Sequence, residues 1–256
     1  MTTDQFSVAG RTAIVTGGSS GIGRSIAERF AADGADVTVC SREQANVDPV
    51  AEAINDRDGG RALAVECDVR EPDAVGAMVA ATVDEFGGLD TLVNNAGASF
   101  MTEFGSMSEN AWKTIVDINL HGTFHCCQAA GEPLREDGGV VVNMASVAGE
   151  FGAAYMSHYG AAKAAVINLT KSLAWEWAAD DVRVNCIAPG FVATPGVAAQ
   201  MGVEADEIDR ETVDKRIGTV EEIADLTQFL ASPASSYLVG ETVSAAGKPR
   251  LETAPE

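Results

Sequence analysis

The chain has 256 residues with 46% hydrophobic content, enough for one α/β core, and carries 38 acidic against 17 basic side chains for a formal charge of −21. That balance argues against nucleic acids and anionic bilayers as partners, since both call for basic clusters. No apolar run approaches the ~20 residues of a membrane-crossing helix, and the polar start Met1 to Gln5 lacks a signal region, which predicts a cytoplasmic protein.

Taken in chain order, Thr12 to Thr16 is a short apolar run that reads as a buried strand, followed by Gly17-Gly-Ser19-Ser20-Gly21-Ile22-Gly23 and a helical pattern from Arg24 to Ala32. A strand, a glycine turn and a helix N-terminus form an anion cradle, in which Gly17, Gly21 and Gly23 allow the tight turn, the close approach of a pyrophosphate and helix-on-sheet contact. Further strands are expected near 36–40, 62–67, 91–94, 140–145, 183–188 and 241–244, with helices between them. Such alternation without repeats or linkers predicts a single three-layer α/β/α domain over 1–256, a doubly wound seven-stranded parallel sheet of the Rossmann type. Its cofactor half would span about 1–145, its catalytic and substrate half about 146–256, and a mobile lid about 194–215.

The chemistry concentrates after the fifth strand, where Ser146 falls at the carboxyl end of Val140 to Ala145 and Tyr159-Gly-Ala-Ala-Lys163 follows thirteen residues later. A Tyr-x-x-x-Lys alone arises by chance on many helices, but ligands gather at strand ends in open α/β sheets, and the pair would face that position. On a helix the two side chains share one face. A positive charge ~4 Å from the phenol is worth about 4 kcal/mol at an effective dielectric of 20, roughly three pKa units below the ordinary ~10, so Tyr159 would be poised near neutrality as a proton donor. Ser146 adds a hydroxyl donor, and the set reads as a carbonyl/alcohol redox site.

His121 and His125 stand four apart on an expected helix, but no adjacent Cys, Asp or Glu completes a metal site, so no metal is predicted. The five cysteines, at 40, 67, 126, 127 and 186, are scattered over apolar segments and read as reduced core residues.

With the glycine loop and the Ser146/Tyr159/Lys163 set in hand, the chain resembles the short-chain dehydrogenase/reductase family nearly end to end, and within it the 3-oxoacyl reductases. Cys67-Asp68-Val69, Asn94-Asn95-Ala96-Gly97, Asn119 within Asp117-Ile-Asn-Leu, and Pro189-Gly190 with Val192 and Thr194 are the family's other landmarks, in its order. The resemblance implies a nicotinamide dinucleotide held by Gly17, Ser19, Ser20, Gly21, Ile22, Gly23, Asp68, Val69, Asn95, Ala96, Gly97, Pro189, Gly190, Val192 and Thr194. Asp68 would meet the adenine edge, Asn94 to Gly97 would brace the sheet, Thr194 would orient the carboxamide, and Asn119 would hold a water in a proton relay. It also implies that Lys163 and Tyr159 contact the cofactor ribose, and that a four-helix contact builds a homotetramer. Departures are Val220, where a proline is common, and Glu241 to Lys248, which lacks an Asp-Gly-Gly.

Cofactor choice turns on the end of the second strand. Ser41-Arg42 stands there instead of a carboxylate, and a guanidinium suits a 2′-phosphate, so NADP(H) is expected with NAD(H) as the other option; Arg24 would add to that phosphate site. The expected substrate is a small-molecule ketone or secondary alcohol, first a 3-oxoacyl group carried on coenzyme A or acyl carrier protein, with a sugar, polyol or other alcohol as the alternative. Glu136-Asp137 and Asp180-Asp181 weigh against an acidic carrier protein. A nucleotide-sensing regulator on the same scaffold and an enoyl reductase are the other readings; the intact Asn119, Ser146, Tyr159 and Lys163 set disfavours the first, and Ser146 with Tyr159 favours carbonyl chemistry over the second. Finally, an acidic surface with only five lysines stays hydrated in concentrated salt and repels itself when unscreened, which predicts a halophilic source.

Overall fold

The computed structural model describes residues 3–202, 207–212 and 216–247, without the side chains of 3, 4, 200 and 201. Seven parallel strands form one sheet among these residues, in the order β3-β2-β1-β4-β5-β6-β7. They are β1 (Thr12–Thr16), β2 (Asp36–Ser41), β3 (Ala62–Glu66), β4 (Thr91–Asn94), β5 (Gly139–Met144), β6 (Val182–Pro189) and β7 (Thr242–Ala245). Each falls within two residues of its expected position; β1, β2, β4, β5 and β6 are largely buried and read as short apolar runs, while β3 and β7 at the sheet edges are only half-buried.

Alternate side chains pass to opposite sides of the sheet. Ala13, Val15, Val93, Val140 and Val142 join one core with Ile26 and Phe30 of α1 (Gly21–Ala32), Val47 and Ile54 of α2 (Gln44–Asn55) and Leu230 of α9 (Val220–Ala231). Ile14, Leu92, Val141 and Val184 join the other with Met78 of α3 (Pro72–Phe86), Leu134 of α5 (Gly122–Glu136) and Trp177 of α7 (Ser157–Trp177). This is the expected three-layer arrangement. All five cysteines are unpaired and buried.

The remaining helices are α4 (Glu109–Val116), α6 (Val147–Phe151) and α8 (Pro195–Met201). Helix α9 begins in a capping box in which Thr219 accepts from the Glu222 amide and the Glu222 carboxylate accepts from Thr219, so Val220 occupies a first turn that needs no proline. The lid expected at 194–215 is in part α8, while 203–206 and 213–215 lie outside the described residues, as does Lys248.

The sheet order places the site. The chain runs outward from β1 to β3, then crosses back to lay β4 on the free side of β1, so the loops after β1 and β4 diverge and leave a crevice at their carboxyl ends.

Candidate active site

The loop after β1 lines that crevice with Gly17, Ser19, Ser20, Gly21 and Ile22. Gly17 has φ +66°, and a Cβ there would lie 3.0 Å from the Ala96 Cα and the Asn95 Nδ2. A Cβ on Gly23 would meet the Gly17 carbonyl oxygen at 2.3 Å, so Gly23 does not face the cavity: it lets α1 close against the turn. Gly18, which the sequence reading passed over, gives the same freedom against Val39, where a Cβ would stand 2.9 Å away.

From the other side, Asn95 donates its side-chain amide to the Thr16 and Gly17 carbonyls at 2.9 and 3.2 Å, while the Thr16 hydroxyl accepts from the Asn95 and Ala96 amides, both at 3.0 Å. Asn94 points into the sheet, donating to Asn143 at 2.9 Å, and Asn143 donates on to Thr170 at 2.9 Å. This hydrogen-bonded chain crosses from β4 through β5 to α7. Ser41, Arg42, Cys67, Asp68, Val69, Ala96, Gly97 and Thr194 also line this cavity of about 470 Å³, together with Cys40, Glu43 and Asn46, which carried no recognisable signal. Thr194 caps α8, its hydroxyl accepting from the Val197 amide. Arg24 is absent from this lining: it is turned along α1 into an ion pair with Glu28 at 2.9 Å, which corrects its assignment to the phosphate site.

A second cavity, of about 540 Å³, shares Ile22, Asn95, Gly97, Ala98 and Thr194 with the first, so the two form one groove. It holds Asn119, Ser146, Tyr159, Lys163, Pro189, Gly190 and Val192, with apolar walls from Val147, Met156, Phe191 and Val197. Ser146 is the N-cap of α6, its hydroxyl accepting from the Ala148 amide at 3.1 Å. Asn119 lies in a π-helical turn, Asp117–His121, that joins α4 to α5. Its amide donates to the Ala98 and Ile115 carbonyls at 2.8 and 2.9 Å, leaving its buried Oδ1 without a protein partner. That oxygen faces Gly97, whose Cβ would lie 2.8 Å from it and 3.6 Å from the Lys163 Nζ. An orphaned acceptor beside an ammonium fits a bound water.

The expected effect of Lys163 on Tyr159 is corrected by the geometry. The ammonium donates to the Met144 carbonyl at 2.7 Å and lies 5.7 Å from the centre of the phenol ring. Burial therefore dominates and raises the Tyr159 pKa, with hydrogen bonding to Ser146 acting the other way. Burial also lowers Lys163, from 10.5 to about 8. Helical spacing placed the two groups on one face, but the carbonyl at the end of β5 competes for the ammonium, a contact that one-dimensional spacing does not reveal.

His121 accepts or donates at Asp117 (2.8 Å), and His125 has Nδ1 3.0 Å from the Val69 carbonyl, which makes that nitrogen the protonated one. Each has a hydrogen-bonding role on its own helix face. No group of three metal-ligating side chains occurs among the described residues.

The groove fits an extended dinucleotide. Its glycine turns have no room for side chains, its first helix offers N–H groups at the turn, and one end carries an orphaned acceptor and a buried ammonium. Comparison with known proteins agrees. Residues 17–247 match the family model described as "Enoyl-(Acyl carrier protein) reductase". The chain is 43% identical over 243 residues to the short-chain reductase protein NovJ of Streptomyces niveus, covering 92% of each. It is 37% identical over 238 residues to the 3-oxoacyl-[acyl-carrier-protein] reductase FabG of Chlamydia muridarum, covering 93% of this chain and 96% of that one. The crystal structure of a short-chain type dehydrogenase/reductase from Mycobacterium marinum superimposes with a TM-score of 0.87 at 34% identity, over 95% of this chain and 97% of the other. Fold, groove and similarity thus converge: this chain belongs to the short-chain dehydrogenase/reductase family, as an NAD(P)-dependent oxidoreductase acting on CH–OH groups.

Proposed function

We propose that the protein is an NADP(H)-dependent reductase that converts a ketone into a secondary alcohol, with a 3-oxoacyl thioester as its substrate. The observation that carries this reading is the convergence of Ser146, Tyr159 and Lys163 on an apolar-walled cavity continuous with the dinucleotide groove. When bound, the reduced nicotinamide supplies the hydride that reduces the carbonyl carbon. Tyr159 gives its phenolic proton to the carbonyl oxygen, and its raised pKa keeps it protonated for that step at neutral pH. The Ser146 hydroxyl donates a hydrogen bond to the oxygen as negative charge develops. Lys163, held by the Met144 carbonyl, orients the cofactor ribose, and the Asn119 Oδ1 holds the water through which the proton is restored.

Arg42, at the rim of the first cavity, supports NADP(H), because a guanidinium binds a 2′-phosphate in two-pronged fashion. Val147, Met156, Phe191 and Val197 support an acyl chain over a sugar or polyol, whose hydroxyls would be left unpaired against them. Coenzyme A is favoured over an acidic carrier protein. Asp137 closes α5 and Asp180 follows α7, and the cation between them, Arg135, is already drawn to Asp180 at 3.7 Å.

The test is oxidation of NADPH and, in parallel, NADH by acetoacetyl-CoA, with Tyr159→Phe as control. NADPH-preferring, Tyr159-dependent turnover is expected. Tight NADPH binding without turnover would instead indicate a different alcohol or ketone.

A further inference from the structure

Asp68 stands at the mouth of the adenosine end of the groove, just after β3, on a segment held at three points. The Cys67 amide donates to the Ser41 carbonyl at 2.7 Å, His125 donates to the Val69 carbonyl at 3.0 Å, and Arg70 folds back on Asp68 itself. The last contact engages both oxygens of the carboxylate. Oδ1 accepts from the Arg70 amide and Nε, both at 3.0 Å, and Oδ2 accepts from the same Nε at 3.0 Å and from Nη2 at 2.5 Å. A carboxylate has about four lone-pair positions and these three N–H groups, the Nε one shared between both oxygens, take most of them, leaving about one for the adenine edge. Arg42 lines the same cavity as Asp68, and the Asp68 pKa is held down first by the hydrogen bonds from Arg70, with the charge of Arg42 acting in the same direction.

Arg42 nevertheless forms no ion pair among the described residues. Seven other arginines do: 24, 29, 61, 70, 135, 210 and 216; Arg11, Arg57 and Arg183 also form none among the described residues, but Arg42 is the one of these four that lines the cavity. In a chain of net charge −21, an uncommitted guanidinium lining a cavity beside a carboxylate needs a reason. Arg70 supplies one. With Arg70 removed, Asp68 would be a bare carboxylate near Arg42, and a guanidinium edge engaged with a carboxylate cannot also grip a phosphate.

We propose that Arg70 is a specificity-determining residue for the dinucleotide: by occupying Asp68 it keeps that carboxylate from capturing Arg42, and so reserves Arg42 for the 2′-phosphate that distinguishes NADP(H) from NAD(H). The inference rests on the NADP(H) reading above. It assigns to Arg70 an indirect, positioning role with no contact to the cofactor required.

The test is direct binding of NADPH and NADH to the full chain, followed by calorimetry, for the wild type and for Arg70→Met, Asp68→Asn, Arg42→Met and the doubles Arg70→Met/Asp68→Asn and Arg70→Met/Arg42→Met. Arg70→Met is expected to weaken NADPH about 10-fold and NADH less than about twofold. In the Asp68→Asn background, where no carboxylate can capture Arg42, the same change should leave NADPH affinity within about twofold. In the Arg42→Met background it should not alter the NADPH/NADH ratio. Equal weakening of both dinucleotides would make Arg70 a brace of the adenosine segment and overturn the proposal, as would an unchanged NADPH affinity. A wild type that binds NADH as tightly as NADPH would sink the cofactor reading itself, a result visible before any variant is made.

Discussion

Tyr159 and Lys163 show how burial sets the chemistry of single groups. Removing the phenolic proton donor by Tyr159→Phe is expected to lower turnover by at least ~10²-fold, the range for a lost general acid, while NADPH affinity stays within about threefold; stopped-flow turnover with a parallel binding titration checks both. Lys163 is 3% exposed and titrates at about 8 in the fold against 10.5 in a free chain. A depressed pKa means that the folded state binds the proton less readily. The stability linked to this group is therefore present above pH ~10.5 and lost as pH falls to about 8, by on the order of 3 kcal/mol at ~1.4 kcal/mol per pKa unit. Lys163→Met should accordingly be more stable than the wild type at pH 7, with the difference shrinking between pH 8 and 10.5, in urea melts at each pH. The same sign applies on the acid side to His158. It is fully buried, lies edge-on to Phe100 with ring centres 4.5 Å apart, and burial lowers its pKa below 6.5. Its contribution falls as pH drops below ~6.5, so His158→Phe should flatten the loss of stability between pH 7 and 5.

At the scale of elements, the glycine turn is the least forgiving part. Gly23→Ala puts a methyl group 2.3 Å from the backbone oxygen of Gly17, where no flexible side chain can yield, so the turn and α1 must separate. A stability loss of about 1–3 kcal/mol is expected together with a rise in dinucleotide Kd of tenfold or more. An unchanged Kd in the folded variant would show that the turn does not cradle the cofactor. The motif itself was legible from sequence, because glycine is the residue type that tolerates both the positive φ at Gly17 and the close approach at Gly23. Asn119 was legible as a landmark, but its π-helical turn was not. Nothing in Asp117 to His121 departs from an ordinary helical pattern, and the turn is accompanied by carbonyl acceptors from Ala98 and Ile115, one of them far away in sequence.

For the whole molecule, the dominant quantity is the charge of −21. Self-repulsion on that scale is relieved by salt, since the Debye length shrinks from ~10 Å at 0.1 M to ~3 Å at 1 M. The expected outcome is a rise in Tm between 0.1 and 2 M KCl; a flat or falling Tm would remove the salt-adaptation reading. Trp175, 87% exposed on α7, and Phe124, 44% exposed on α5, are large apolar groups left open on two helices. They support the homotetramer proposed by resemblance, which light scattering on the purified chain would test directly.

Sequence alone was sufficient for the three-layer α/β/α fold and for the positions of its strands and of the glycine turn. Buried parallel strands, glycine turns and a Tyr-x-x-x-Lys helix all write local, short-range patterns. Tertiary structure decided what each group is paired with: Lys163 with the Met144 carbonyl, Arg24 with Glu28, Arg70 with Asp68, and Arg42 with no charged side chain among the described residues. Charge partners are chosen by distance through space and by competition among all nearby acceptors. Protonation and specificity therefore emerge only once the sheet has brought the strand ends together.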